Sequence, residues 1–395
     1  MSARGPLAPA LALALCAAAG PAAAQEYTVL VASEATDQIA VVRFGPRLGA
    51  GGTPAAKVET SRTVGLNPMD PDGPHGLAFA PDGRSYFVST AHGAPYGSLW
   101  RFDAATGETL GRVELGLFPA TLQVSPDGAA AYVVNFNLHG EMVPSSVSVV
   151  GLATSAGGGE ELVEIARIPT CAMPHGSRLT ADGSRHYSAC MMDDLLVEID
   201  TRTLAVSRHF LLTKGKEQGM PGAPMVRRGA HAGHDMGGHG MDAPKAGETV
   251  CSPTWAQPTP DGRSVYVACN KTSEIVEVDA ATWALKRRIA AGDGVYNLAI
   301  TRDAKLLVAT NKRGRSVSVF DAASGKELAR IPTLRRVVHG VAVSPDDRYA
   351  FVSVEGVGSE PGTLEVIDLA TRQRVASADV GQMAGGVDVI AAARP

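Results

Sequence analysis

An all-β fold, a seven-bladed β-propeller of four-stranded antiparallel blades, is predicted by three observations. First, one pattern recurs: an apolar strand, an Asp-Gly-type turn and a second apolar strand. It reads GPHGLAFAPDGRSYFVST (73–90), FPATLQVSPDGAAAYVVN (118–135), MPHGSRLTADGSRHYSAC (173–190), SPTWAQPTPDGRSVYVAC (252–269), VYNLAITRDAKLLVAT (295–310) and VVHGVAVSPDDRYAFVSV (337–354). Second, each copy continues into a third strand such as EIVEVDAAT and a fourth such as ALKRRIAAG. A four-strand unit of about 40 residues is the period of a propeller blade. Third, glycine and proline are abundant (44 and 25 residues) and aromatics scarce (5%), which favours short strands with tight turns over long helices.

The elements follow in order. Residues 1–24 read as a secretory signal peptide: Arg4, the short apolar run LALALCAAAG, then PAAAQ with Ala22 and Ala24 in the small-residue cleavage positions. The apolar run is too short for a membrane span, and no later stretch is long enough for one. Residues 25–395 form the single propeller domain. YTVLVAS, QIAVVRF and KVETSRTVGL supply only three strands, and the C-terminal GGVDVIAAA is expected to add the fourth, closing a seventh blade and leaving no open ring edge. Between blades four and five, residues 214–250 lack a strand pattern. They read as a flexible His/Met/Gly-rich insert emerging near the channel mouth.

Charge excludes some partners. Arg4 is the only charged residue of the leader, so the remaining chain carries 40 acidic residues against one fewer than the 36 basic ones. That balance is mild and dispersed, with no basic block for nucleic acid or anionic lipid. A monomer that is periplasmic or secreted is expected.

Candidate site residues come from topology. The start of each first strand and the end of each second strand meet at one mouth of the central channel. The first set reads His75, Ala120, His175, Thr254, Asn297 and His339; the second reads Thr90 with His92, Asn135, Cys190, Cys269 with Asn270, Asn311 and Glu355. Three histidines in matching positions are candidate metal ligands, with His92 beside them, because imidazole is the commonest metal ligand. Pro-His-Gly is equally a turn whose histidine caps a carbonyl. Trp255 stands where other units carry His-Gly and could pack over a cation or in the core. Asp193 and Asp194 are paired carboxylates expected to be solvated. Cys171, Cys190, Cys251 and Cys269 fall at equivalent places in two consecutive units. They are either two disulfides, each closing a loop of about 19 residues, or a thiolate site for a soft metal. No C-x-x-C-H occurs, so c-type haem is not expected. Within the insert, HAGHDMGGHGMD offers His231, His234, Met236, His239 and Met241, imidazole and thioether ligands that together suit Cu(I).

The repeats, SPDG followed by AYVVN and VSVV, or TPDGRSVYVACNKTSEIVEVDAAT, resemble the YVTN-type β-propeller repeat over almost all of the chain beyond the leader. The resemblance implies the propeller and leaves function open. That family contains periplasmic and surface proteins, and its propeller is similar to those of lactonases, nitrous-oxide reductase, amine dehydrogenases and the haem d1 domain. The dozen-residue tract resembles Met/His-rich tracts of periplasmic copper-resistance proteins.

Three functions fit. The first is handling of a soft metal, most plausibly copper, captured by the insert and held by His75, His175 and His339. The second is a non-catalytic scaffold docking a periplasmic protein or a cell-envelope component. The third is a lactonase-like hydrolase or a metal-dependent oxidoreductase, using Glu355 with Arg313 or Arg315. No nucleophile elbow, phosphate loop or H-E-x-x-H motif occurs, so the expectation leans away from an enzyme.

Overall fold

The computed structural model describes residues 25–66, 71–92, 97–139, 143–154, 160–224 and 249–392. Among them lie seven antiparallel sheets and only two short 3-10 turns. Blades two to seven each order their strands consecutively from the channel outwards. Their innermost strands are Pro74–Phe79, Pro119–Val124, Pro174–Leu179, Pro253–Pro258, Val295–Ile300 and Val337–Val343. Blade one closes as the sequence predicts: the C-terminal strand Ala384–Ala391 pairs antiparallel inside Tyr27–Ser33, with Val29 opposite Val389.

Period-two alternation gives each blade two apolar faces, and each face buries against a neighbour. Seven apolar clusters result, each shared by two adjoining blades. In the cluster joining blades one and seven, Tyr27 and Phe44 meet Tyr349 and Phe351 at ring-centroid distances of 4.8 to 5.7 Å.

The Pro-His-Gly starts of the innermost strands have a structural cause. Pairing to the second strand skips there, between Pro74 and Leu77, Pro174 and Ser177, and Val338 and Val341. Such bulges re-aim side chains, here towards the channel. The glycine then lets adjacent innermost strands touch: a Cβ on Gly76 would sit 2.0 Å from the Ala120 carbonyl oxygen, and one on Gly176 2.2 Å from that of Thr254. Hydroxyls stitch these close approaches. Ser89 Oγ accepts from Gly76 N (2.9 Å) and donates to the Ala120 carbonyl, while Thr310 Oγ1 accepts from Asn297 N and donates to the His339 carbonyl (2.9 Å). The ring is therefore drawn narrow at its upper end.

Two expectations about blades four and five change. The four cysteines form disulfides, Cys171–Cys190 and Cys251–Cys269, so the thiolate-site alternative falls. Cys171 lies at the end of the outermost strand of blade three (Glu160–Ala172), so its bridge ties two blades together. The beginning of the 214–250 segment is structured: Gln218–Pro221 adds a fifth, outermost strand to blade four, against Ala205–Leu211. Its anchors are side chains from blade five. Arg288 pairs with Glu217 (2.7 Å), Lys214 with Glu274 (2.7 Å), and Gly219 is seated on Trp283 too closely for any Cβ. The chain therefore leaves the rim of the disc, away from the channel mouth. His231, His234, Met236, His239 and Met241 lie outside the described residues, as does the leader. Among the described residues no helix is long and apolar enough to cross a membrane.

Candidate functional site at the channel mouth

The bulged strand starts bring His75, His175 and His339 together although they belong to blades two, four and seven. The His75 ring centroid is 5.4 Å from that of His339 and 6.2 Å from that of His175, and Tyr296 stands 5.0 Å from His339 and 5.3 Å from His175. Tyr296 occupies in blade six the register position that histidine holds in the other three. Asn297, expected there from sequence, is one residue further and corresponds to the glycine.

Hydrogen bonds set the tautomers. His175 Nδ1 donates to the Thr254 carbonyl (3.0 Å), which leaves Nε2 to accept from the Tyr296 hydroxyl (2.9 Å). Burial, helped by the charge of His75, pushes the His175 ring down to about 3, and burial with Lys312 nearby pushes His339 well below the ordinary histidine value. Both therefore stay neutral at physiological pH. His75 Nδ1 faces Glu34 Oε2 (2.9 Å), and His92 Nε2 faces Glu34 Oε1 (2.8 Å). One carboxylate thus orients two imidazoles. Burial acts to raise the Glu34 carboxyl, but the hydrogen bonds from His75 and His92 outweigh it and hold it well below the usual range. The same bond raises His92, against the effect of burial. His75 Nε2 is buried and has no partner among the described residues.

Across the mouth stands Lys312, its ammonium 4.4 Å from the Tyr296 ring centre and 3.4 Å from Glu355 Oε1. Burial acts to lower it, but the attraction of Tyr296 and Glu355 prevails and keeps it charged. Glu355 also lies 3.9 Å from His339 Nε2. The side towards blades two to four is apolar, formed by Ala91, Phe118, Ala120, Phe136 and Met173 with Met191 and Met192 packed on. His92 and Lys312 are about one-third exposed, at 35% and 31%, so the cluster is reached from solvent.

Beneath the imidazoles is a cavity of about 30 Å³ lined by His75, Thr121, Trp255, Asn297 and His339. Three buried polar atoms on it lack protein partners: His75 Nε2, Trp255 Nε1 and Asn297 Oδ1. A ring lone pair, an N–H donor and an amide acceptor are what one water molecule can satisfy.

The remaining expected residues sort clearly. Asn135 and Asn311 turn into their own blades: Asn135 accepts from Gly116 N and donates to Ser146 and Ser148, and Asn311 donates to Ser316 and Ser318. The mouth instead receives the residue one further along, which is Glu34, Ala91, Phe136, Met191, Asn270, Lys312 or Glu355 in blades one to seven. Arg313 is turned outward onto Asp293 and Asn270, and Arg315 is exposed, so Lys312 is the cation of this site. Trp255 is buried in the channel with the Arg178 guanidinium over its ring at 4.4 Å. Asp194, expected in solvent, is fully buried and accepts from the backbone N–H groups of Val250, Cys251 and Ser252, while Asp193 accepts from Ala172 N. Both hold the blade junction. Among the described residues no three His, Cys, Asp or Glu side chains are arranged to hold one metal ion.

Glu34 and Lys312 were missed, and a signal for both exists. Aligning TVLVASE, AYVVNF, LLVATNK and AFVSVE places them in register with Glu355. Tyr296 emerges when VYNLAI is aligned on VVHGVAV by its first apolar residues.

No family model and no curated protein matches this chain. Solved structures do. The periplasmic gluconolactonase of Pseudomonas aeruginosa is similar with a TM-score of 0.62 at 19% identity, covering 93% of this chain and 99% of its own. A putative 6-phosphogluconolactonase from Bacteroides uniformis gives 0.62 at 16%, covering 92% and 99%. Hydrazine synthase of Kuenenia stuttgartiensis gives 0.59 at 19%, covering 82% and 96%. At such identities the likeness establishes a shared propeller fold and no more.

Proposed function

We propose that the channel mouth is a hydrolytic site for a small polar lactone or related ester. The observation that carries this reading is Glu34, which fixes His75 through Nδ1 and leaves Nε2 free towards the cavity. A histidine held by a buried carboxylate is the arrangement of a general base. A water between His75 Nε2, Trp255 Nε1 and Asn297 Oδ1 gives its proton to His75 as its oxygen adds to the carbonyl carbon. Lys312 stands ready for the negative charge that develops on the carbonyl oxygen. On ring opening, the bond to the ring oxygen breaks, and that oxygen takes the proton back from His75 or from His92. The wall of Phe118 and Phe136 supplies an apolar face for the ring. Two periplasmic or sugar-lactone enzymes among the similar structures agree with this chemistry, and the two disulfides agree with an oxidising compartment outside the cytoplasm. Assays on a panel of five- and six-membered lactones test it. Turnover lost in His75→Ala and reduced at least ~100-fold in Glu34→Gln is expected; no turnover of any lactone by the wild type removes the reading.

A second reading, copper handling, is favoured by one feature: His75 and His339 have rings only 5.4 Å apart, and His75 Nε2 has no hydrogen-bond partner among the described residues. Two imidazoles suit Cu(I). His175 does not fit, because Thr254 and Tyr296 engage both its nitrogens. Titration with Cu(I) in the wild type, His75→Ala and a deletion of 231–241 separates the two candidate places. Equal binding in all three overturns both.

A further inference from the structure

Three residues below the histidine register, the innermost strands of blades one, four, five, six and seven bring Asp388, Arg178, Gln257, Ala299 and Ala342 together. The alanines of blades six and seven leave a second cavity, about 180 Å³, bounded by Arg178, Gln257, Arg302, Ser344, Asp347 and Asp388 and open at the lower face. Its chemistry is unlike that of the mouth. Arg178 lies flat on Trp255 and makes one hydrogen bond, from Nη1 to the Ser177 carbonyl (2.9 Å). Among the described residues no carboxylate reaches ion-pairing distance of it. A guanidinium has five N–H donors, so most of this one's have no protein acceptor. Asp388 accepts from Phe79 N and from Val389 N, one bond to each oxygen (both 2.9 Å), which leaves lone pairs free. Gln257 donates to the Pro258 carbonyl, leaving its amide oxygen available.

We propose that this lower cavity is a binding site for a small hydroxycarboxylate, its carboxylate on Arg178 and its hydroxyl on Asp388 or Gln257. An anionic group is what the fork of unmatched donors selects, since guanidinium and carboxylate meet through two parallel hydrogen bonds. The acceptors opposite require that the same molecule also donate, which a simple fatty acid or a fully ionised oxyanion does not. The volume limits it to a few carbons, well below the size of a drug-sized ligand. Burial pushes the Arg178 guanidinium down to about 10, partly offset by Asp388, and pushes the Asp388 carboxyl up. An incoming carboxylate relieves the first of these. Arg178 also lines the small cavity beneath the imidazoles, so the two cavities meet at this side chain.

Calorimetric titration of the full chain with glycerate, propionate and inorganic sulfate is the test. Glycerate is expected to bind, with propionate about tenfold weaker for want of the hydroxyl. Arg178→Met is expected to weaken glycerate by about 30-fold or more. Ala299→Leu, which fills the cavity and keeps the charge, is expected to do the same. No binding of glycerate to the wild type, sulfate binding as tightly as glycerate, or binding that survives Arg178→Met overturns the proposal.

Discussion

The two ends of the channel are built from the same innermost strands three residues apart, yet they differ in how their polar groups are answered. At the mouth, Glu34 bonds His75 and His92, Tyr296 bonds His175, and Lys312 pairs with Glu355, with His75 Nε2 left over. In the lower ring, Arg178 and Asp388 face one another across open space and meet no opposite charge in contact. Paired polar groups with one free lone pair suit chemistry on a bound molecule. Unmatched donors beside unmatched acceptors suit capture of a molecule bearing both. The difference arises because the upper positions lie in bulges squeezed by glycine, whereas the lower ones lie in regular strand with alanine spacing them.

Changing the squeeze is expected to have the largest effect. Gly76→Ala places a carbon 2.0 Å from a backbone oxygen that cannot move independently of blade three. A loss of more than about 3 kcal/mol, or failure to fold, is expected in urea unfolding; a stability equal to wild type would show that the ring tolerates a wider mouth.

Acid comes next. His175 and, on the second strand of blade four, His186 are both pushed down to about 3 by burial, with His75 and Arg178 respectively adding to it, and His339 is lowered too. The unfolded chain takes up these protons from about pH 6.5 downward while the folded chain does not, so stability falls as pH drops below 6.5. Glu34 works in the same direction: its folded value is lowered, so its contribution is present above its unfolded value and fades as pH falls through that range. A loss of a few kcal/mol between pH 7 and pH 4 is expected in denaturant titrations. His186→Phe, which stacks on Tyr132 as the imidazole does, should flatten that profile without touching the mouth.

Each disulfide ranks third. Opening Cys251–Cys269 by the double serine variant should cost about 3 kcal/mol for its loop. Cys171–Cys190 should cost a similar amount, and its loss additionally frees blade three from blade four beside Phe136 and Met173. The smallest effect on stability belongs to the lower ring: Arg178→Met removes a poorly compensated buried charge and should leave the denaturation midpoint within about 1 kcal/mol of wild type. A large drop there would mean that Arg178 is structural, and the contrast between the rings would fail.

Much of this was legible in advance. Turn spacing and alternation predict the seven blades, the closure by GGVDVIAAA and the mouth position of His75, His92, His175, His339 and Glu355; the cysteines were legible only as two disulfides within blades or a thiolate site, and Cys171–Cys190 joins two blades instead. Other residues were not. Asn135 and Asn311 end their strands one residue too early to face the channel, and a strand's side chains alternate, so a one-residue error reverses direction. Lys312 and Glu34 suffered from the same slip, Glu34 also because its blade is assembled from both chain ends. Gln218–Pro221 escaped notice because a four-residue edge strand, Gln-Gly-Met-Pro, has no alternation to read; blade five's Trp283 and Arg288 hold it in place.

Sequence alone determined that this chain is a closed ring of wedge-shaped sheets, because period-two hydrophobicity and turn chemistry are local and repeat. Tertiary structure alone decided which of the ring's side chains touch. Contact across the channel depends on how narrow the ring is drawn, and that follows from bulges and glycine contacts between blades some fifty residues apart in the chain, where no local pattern reaches.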